Sequence, residues 1–208
     1  MKIGIIGAGK VGRTLGQRWK DCGHSLSYGV REPEDLKHRD LKAYASVASG
    51  AQVAQDADIV VLAVQWSDAK EAVEDIKSVI DGKILIDCTN PVNPNLSGVS
   101  LGHTTSAAEQ IQKWAPKSIV VKAFNQIGFN IMANPILDER KAVLFIAGDS
   151  AEACETVEAL AKELDFNPVV MNSLSDARLL EPFAMIWISM AYKLGYGREF
   201  AFSMITRE

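Results

Sequence analysis

The sequence predicts a doubly wound α/β fold: a parallel sheet with helices on both faces and a helical appendage at its C-terminal end. Three observations carry that reading. Short apolar runs such as "KIGII" (2–6), "DIVVLAV" (58–64) and "KILIDC" (83–88) alternate with longer stretches of helical periodicity. That is the pattern of strands buried on both faces and joined by crossover helices. A glycine-rich turn, "GAGKVG" (7–12), stands between the first strand and the first helix. From about Ser175 the pattern is helical to the end, with no further strand.

In chain order, "KIGII" is a central strand, and the helix after the glycine turn runs to about Asp21, closed by Gly23 at its C-terminal cap. "SLSY" (25–28) is a second strand. "EPEDLKHRDL" (32–41) puts Pro33 and acidic residues where a first helical turn favours both, which predicts a helix there. "DIVVLAV" is the next strand, and "SDAKEAVEDIKSVI" (67–80) is an amphipathic helix with Ser67 as its cap. "KILIDC" runs into "TNPVNPNLSGVSLGHTTS" (89–106), a loop of a length that compact domains keep for function or leave disordered. A helix (105–114), the strands "SIVVKAF" (118–124) and "AVLFIAG" (142–148), a helix (150–164) and "PVVM" (168–171) complete the sheet. Residues 1–172 are thus expected to form a dinucleotide-binding domain, and residues 173–208 a helical segment that closes a pocket, makes a dimer, or does both.

The 208 residues are 48% apolar and 23% charged, an ordinary globular balance, and a net charge of −4 argues against nucleic acid as the main partner. Any phosphate binding has to be local. Cys22, Cys88 and Cys154 lie far apart with no C-x-x-C pair, which fits reduced thiols and neither a disulfide framework nor a metal site. The N-terminus carries no signal-peptide pattern, and "PFAMIWISMAY" (182–192) is too short to span a bilayer. The expectation is a soluble, cytoplasmic protein with no membrane partner.

"GAGKVG" sets Gly7, Gly9 and Gly12 in G-x-G-x-x-G register, after a strand and at the start of a helix. Gly7 serves the tight turn, Gly9 lets the backbone approach a pyrophosphate, and Gly12 lets helix and strand pack closely. The helix N-terminus supplies N–H groups and partial positive charge to the phosphates. The alternative is a glycine-rich turn with no ligand. After the second strand, an NAD-selective fold places an acid on the ribose hydroxyls. This chain has Gly29, Val30 and Arg31 there, with Glu32 and Glu34 only afterwards. Arg31 offers a planar fork to a 2′-phosphate, with Lys37, His38 or Arg39 in reach to assist. One such arginine favours NADPH over NADH by about ten- to a hundredfold. The alternative is a solvated surface arginine; the reading taken is an NADP(H) cofactor.

The order "GIIGAGKVG", "YGVRE", "ADIVVLAVQW", "IDCTNP", "VVKAFNQIG" and "LSDARLLEP" resembles the NADPH-dependent coenzyme F-420 (deazaflavin) reductase family over nearly the whole chain. It also resembles the NADPH-binding domain of the six-transmembrane ferric reductases. The resemblance implies a Rossmann-type fold and hydride transfer between NADPH and a deazaflavin or flavin as second substrate. It implies that Gly7, Ala8, Gly9, Lys10, Val11 and Gly12 hold the cofactor, although the family often has Thr-Gly-Asn where this chain has Ala8-Gly9-Lys10. It places the 2′-phosphate on Val30-Arg31, where archaeal members tend to have Ser-Arg. Val64, Gln65 and Trp66 would lie along the cofactor, with Asn90 and Pro91 at the nicotinamide. Phe124, Asn125 and Ile127 would line the second substrate's pocket. The C-terminal part of the family also implies a homodimer.

Hydride transfer to a flavin-like ring asks for alignment more than for acid–base groups. Accordingly, the sequence has no G-x-S-x-G, no H-E-x-x-H and no paired Cys/His ligands. Of three histidines, His24 reads as a surface turn residue and His38 as a solvated member of a charged helix. His103, in the loop after a strand end, is the one candidate catalytic group; the alternative is a loop histidine bonded to backbone. Trp66 and Phe124 are wall or core, Lys122 lies in a buried strand where a partner carboxylate is one reading and the sequence does not decide, and Cys88 reads as a small hydrophobe. Leu179, Leu180, Phe183, Ile186, Trp187 and Met190 form a wide apolar stripe after Asp176, and Pro182 suits a first helical turn. Two other functions remain open on sequence alone: reduction of a small imine or carbonyl, with His103 as proton donor, and a non-catalytic NADP(H)-binding redox sensor.

Overall fold

The computed structural model describes residues 1–207. Its strands are β1 (Lys2–Ile6), β2 (Ser25–Gly29), β3 (Ser46–Ala48), β4 (Ile59–Leu62), β5 (Ile84–Asp87), β6 (Ile119–Lys122), β7 (Ile136–Leu137), β8 (Arg140–Lys141), β9 (Val143–Gly148) and β10 (Asn167–Val170). The helices are α1 (Lys10–Asp21), α2 (Gly50–Asp56), α3 (Trp66–Ile76), α4 (Ala107–Trp114), α5 (Phe129–Ala133), α6 (Ala151–Glu163) and α7 (Ala177–Tyr192). Among the described residues the main sheet has the order β10-β9-β6-β5-β4-β1-β2-β3, and β7 and β8 make a separate hairpin. All pairings in the main sheet are parallel except β6 with β9.

The apolar runs become strands because each feeds two cores. Ile3, Ile5, Ile59, Val61, Ile86 and Val121 point to one face, under Leu15 and Trp19 of α1 and Val157 and Leu160 of α6. Ile6, Val60, Leu62, Leu85 and Val120 point to the other, under α2, α3 and α4. Alternation at a period of two, apolar on both sides, is what a doubly covered parallel sheet requires. α7 packs outside the sheet's end: Phe183 meets Phe145 of β9 edge-on at 5.6 Å, and Arg178 ties α7 to α4 through Glu109 at 2.5 and 2.9 Å.

Several elements differ from the sequence expectation. Residues 32–41 form two short 3₁₀ turns, Leu36–His38 and Leu41–Ala43, in place of a helix. The segment has no apolar stripe to bury (Leu36 is 82% exposed while Leu41 is fully buried), so capping signals had no packing to act on. β3, α2, α5 and the β7–β8 hairpin were not anticipated, being too short to show periodicity. α3 begins one residue early, with Gln65 as its cap and Ser67 inside it. Residues 193–207 are not helical: the helix stops at Tyr192, and Gly195 and Gly197 take positive φ (79° and 72°). Pro182 sits in the interior of α7 and not in its first turn. The apolar stripe is also divided, with Leu180 and Trp187 buried and Leu179 and Ile186 at least half exposed. His24 is no bare turn residue; its Nε2 lies 2.7 Å from the Glu163 carboxylate of α6.

Candidate functional site

Strand order reverses direction at β1, with β2 on one side and β4 on the other, and the crevice beyond their carboxyl ends is where such folds bind ligands. Gly7 forms the turn at φ +105°, with its N–H on the Gly29 carbonyl at 3.0 Å, and a Cβ there would stand 2.5 Å from the Ala63 carbonyl oxygen. Only glycine lets the loops after β1 and β4 come this close. At Gly12 a Cβ would run into the Gly7 carbonyl oxygen, which fixes α1 against the turn. Gly9, the residue that caps α1, has nothing within 4 Å of the place a Cβ would take. The backbone is thus open to a ligand at the head of α1, where the first N–H groups lack intrahelical partners. Arg13 braces the loop from behind, its Nε donating to the Ala8 carbonyl at 2.8 Å.

On the β2 side lies a cavity of about 260 Å³, lined by Gly7, Ala8, Val30, Arg31, Lys37, His38 and Val64, among others. The Arg31 guanidinium spans this cavity to α3, 2.9 Å from Asp68 and 3.5 Å from Glu71. Lys37 is held by Asp35 at 2.8 Å and Glu32 at 3.3 Å. His38 is only 5% exposed, and neither ring nitrogen has a hydrogen-bond partner. The solvated role expected of His38 therefore does not hold: the 3₁₀ turns fold it inward where a helix would have carried it out. Four carboxylates (Glu32, Asp68, Glu71 and Asp75) face two cations around the cavity. The donor left without a partner is the histidine.

Val64 is shared with a second, wider cleft of about 800 Å³ on the far side of the glycine turn. Val11, Gln65, Trp66, Asn90, Phe124, Asn125 and Ile127 all line it. Asn90 and Asn125 are clasped together: Asn90 Nδ2 donates to the Asn125 carbonyl at 2.6 Å, and Asn125 Nδ2 donates to Asn90 Oδ1 at 2.9 Å. Three buried oxygens here accept nothing, namely Thr89 Oγ1, Asn125 Oδ1 and Gln126 Oε1. Unpartnered acceptors in such a cleft suit a ligand that brings N–H groups, as a carboxamide does. The open glycine cradle, the idle His38 and these idle oxygens together fit a nicotinamide dinucleotide. Trp66 stacks on Trp114 at 5.5 Å, while Phe124, at φ 60°, packs edge-on against Trp19 and Phe166; each is wall and core at once.

Not every sequence candidate is brought here. Pro91 is buried and does not line the cleft, its carbonyl taken by Ser100. Lys10 is exposed, its ammonium 5.0 Å above the Phe129 ring. His103 is exposed at positive φ (56°) and lines neither cavity; its loop turns it to solvent. The titratable groups that do line the wider cleft are Cys88, Tyr192 and Arg198, the last two from the C-terminal segment. Burial, with Asp87 alongside, pushes the Cys88 thiol well above its ordinary range.

Beneath the cleft lies a buried ionic knot. Lys122 Nζ is 2.8 Å from Asp87 Oδ2, 2.8 Å from Glu181 Oε1 and 2.6 Å from the Thr89 carbonyl. Glu181 also accepts the N–H groups of Ala107 and Ala108 at the head of α4, at 2.9 and 3.2 Å. Burial works against the lysine charge, yet Asp87 and Glu181 outweigh it and hold Lys122 above its usual range. Glu181 is raised, by burial first, with Lys122 pulling it down and Asp87 pushing it up. The knot ties β5, β6, α4 and α7 together directly under Thr89 and Asn90. Lys122, whose partner the sequence left undecided, thus meets two carboxylates. Glu181, the lone acid inside the apolar stripe, was the signal left unread.

Residues 2–91 match the family described as NADP oxidoreductase, coenzyme F420-dependent. The chain is similar to the Metalloreductase STEAP3 of Rattus norvegicus, 32% identical over 181 residues; the match covers 86% of this chain and 36% of that protein, so the chain spans little more than a third of its length. It is similar to the F420-dependent NADP reductase of Methanothermobacter marburgensis, 28% identical over 215 residues and covering 93% of each chain. A crystal structure from Arthrobacter sp. FB24, described as a candidate F420-dependent NADP reductase, superposes with a TM-score of 0.90 at 28% identity, covering 99% of this chain and all of that one. An imine reductase from Streptomyces aurantiacus shares the fold, with a TM-score of 0.69 at 14% identity over 92% of this chain and 62% of its own.

Proposed function

We propose, from the membership of residues 2–91 in the coenzyme F420-dependent NADP oxidoreductase family, that this chain is an NADP(H)-dependent oxidoreductase whose hydride acceptor is a flavin or a deazaflavin. The observation that carries the acceptor is the wider cleft. Its walls join aromatic and aliphatic side chains with uncharged amides and hydroxyls, and its titratable groups are a suppressed thiol, a phenol and an arginine. A carbonyl or imine needs a proton as well as a hydride, whereas a flavin-like ring takes the hydride and delocalises the charge.

NADPH, when bound, supplies the hydride. The residues of the chain hold and exclude. Gly7 to Gly12 and the head of α1 receive the pyrophosphate, and Arg31 with Val30, Lys37 and His38 receives the 2′-phosphate. For that, Arg31 leaves Asp68 and Glu71, an exposed pair of the kind that costs little to break. Val64, Gln65 and Trp66 lie along the cofactor, and Asn90, clasped by Asn125, sits at the nicotinamide end. Phe124, Asn125 and Ile127 line the acceptor's side. Trp187 and Tyr192 close the cleft against water from the C-terminal segment, residues 173–208, which we take as a unit distinct from the domain at 1–172. Leu179 and Ile186, exposed on α7, support a homodimer through that helix. Among the described residues no helix is long and apolar enough to cross a membrane, and the three free thiols support a cytoplasmic setting.

The test follows NADPH oxidation at the nicotinamide absorbance band, with coenzyme F420, FMN, FAD and a cyclic imine in separate reactions. Oxidation confined to a flavin-like acceptor is expected. Oxidation with the imine alone would replace this reading, with Tyr192 then under test as proton donor. Tight NADPH binding with no turnover would point to a redox sensor.

A further inference from the structure

The mouth of the wider cleft carries cations that meet no carboxylate among the described residues. Arg198 is the one charged residue among those that line the cleft, and among the described residues no carboxylate comes within ion-pair distance of it. Its neighbour Glu199 is turned away, with Oε1 accepting from Asn130 Nδ2 at 2.5 Å. Lys193 stands at the same rim, its ammonium donating to the carbonyl of Leu96, which lines the cleft, at 2.6 Å and likewise without a carboxylate partner. Arg31 and Lys37 of the adenosine-side cavity each meet two acids, whereas Arg198 and Lys193 meet none among the described residues.

The arginine is also held in place. Its guanidinium lies 5.1 Å over the Tyr192 ring, and Tyr192 meets Trp187 edge-on at 6.5 Å. Trp187 in turn stacks on Phe200 at 5.4 Å and donates its indole N–H to the Phe200 carbonyl at 3.1 Å. A guanidinium fixed by aromatic stacking loses little freedom when it binds an anion, and its fork matches phosphate or carboxylate oxygens. Below it the cleft offers aromatic faces and apolar walls that suit a planar ring.

We propose that the wider cleft takes an acceptor whose planar aromatic ring carries an anionic substituent, and that Arg198, with Lys193 beside it, binds that anion at the mouth. This rests on the oxidoreductase reading and narrows it to a charged acceptor. The binding site for the anion is formed by the segment after α7 and lies apart from the glycine cradle and from Arg31. Flavins and deazaflavins bring such a group in different forms, a phosphate monoester in one and a phosphodiester with carboxylates in the other.

Matched pairs test it: FMN against riboflavin, and coenzyme F420 against the same deazaflavin ring without its tail. With NADPH as donor, kcat/KM for the charged member of at least one pair is expected to exceed its neutral counterpart at least tenfold. In Arg198→Ala that preference falls to within about twofold through a rise in KM, the neutral member and the KM for NADPH hold their values, and Arg198→Lys restores part of the loss. The FMN pair or the F420 pair responding alone identifies the form of the anion. Equal losses for charged and neutral members would mean that Arg198 only braces the fold, and a rise in the NADPH KM would mean that it serves the cofactor's phosphates; either overturns the proposal. If the unaltered protein reduces none of the four, the reading of FMN or coenzyme F420 as acceptor fails separately. The subsite is then read from fluorescence quenching on the NADP⁺-loaded protein, where tighter binding of the charged member that is lost in Arg198→Ala upholds it and equal binding overturns it.

Discussion

Replacing Lys122 with methionine tests how the cleft floor is held. The ammonium is fully buried and neutralises Asp87 and Glu181, themselves 0% and 1% exposed. Methionine keeps the length and removes the charge, so two carboxylates are left facing each other without a cation. Removing one partner of a buried pair costs about 3–5 kcal/mol. Here the carboxylates keep other donors, with Glu181 on the N–H groups of Ala107 and Ala108 and Asp87 on that of Thr89, which places the loss near the lower bound. At about 3 kcal/mol, and roughly 2–4 °C per kcal/mol for a chain of this size, the melting temperature should drop by about 6–12 °C at neutral pH.

The pH dependence separates this cause from simple loss of packing. Burial already holds the Glu181 carboxyl above its ordinary range, and Lys122 is the group that pulls it back. Without the lysine it rises further. A carboxyl raised in the folded state contributes stability in full below its unfolded pKa, roughly 4.3, and loses that contribution as pH climbs through the folded value. The defect of Lys122→Met should therefore shrink between pH 7.5 and pH 5, where the variant's carboxyl takes up a proton. Adding Glu181→Gln to Lys122→Met should recover part of the loss at pH 7.5, because one of the two stranded charges is gone. Thermal unfolding of the three proteins at the two pH values reads this out. A drop below about 2 °C, or an equal drop at both pH values, would refute the reasoning.

Arg31→Ala should weaken NADPH about tenfold and leave NADH almost untouched, measured by calorimetric titration; equal losses would remove the 2′-phosphate role. His38→Leu should stabilise the ligand-free protein by about 1 kcal/mol, since two idle buried nitrogens are replaced by apolar surface, yet weaken NADPH, so melting temperature and Kd rise together. If His38 has no part in binding, the Kd stays put. Truncation before Asp176 removes Glu181 and α7, and should give an aggregating or insoluble product; a soluble, monodisperse one would sink the role proposed for the C-terminal segment in covering apolar surface and in a homodimer.

The sheet was legible because its central strands send apolar residues to both faces, Ile3, Ile5 and Ile6 in β1, all of β4 and Ile84 to Ile86 in β5, a pattern that double-sided burial explains, and the glycine turn because Gly7 and Gly12 each occupy a place where a Cβ meets backbone. What stayed illegible was set by contacts far along the chain. Residues 32–41 carry a cap and an acidic first turn but no stripe; their path is fixed from α1, where Arg13 pairs with Asp40 and donates to the Lys37 carbonyl at 3.1 Å. His38, amid charged neighbours in sequence, is buried as a consequence of that anchoring. The cleft's mouth is the same case at longer range. Tyr192 and Arg198 follow the last strand by more residues than any local pattern spans, and they reach the cleft because α7 is pinned at Glu181. Yet half of that pin was visible: a lone lysine in the apolar run "SIVVKAF" and a lone acid in the apolar run "LLEPFAM" are each too costly to bury alone. Asp87, at the end of the apolar run "KILIDC", is a third such charge, so burial asks for an acid opposite Lys122 without selecting which one, and the fold brings both Asp87 and Glu181 to it, which sets the start of α7 against β6.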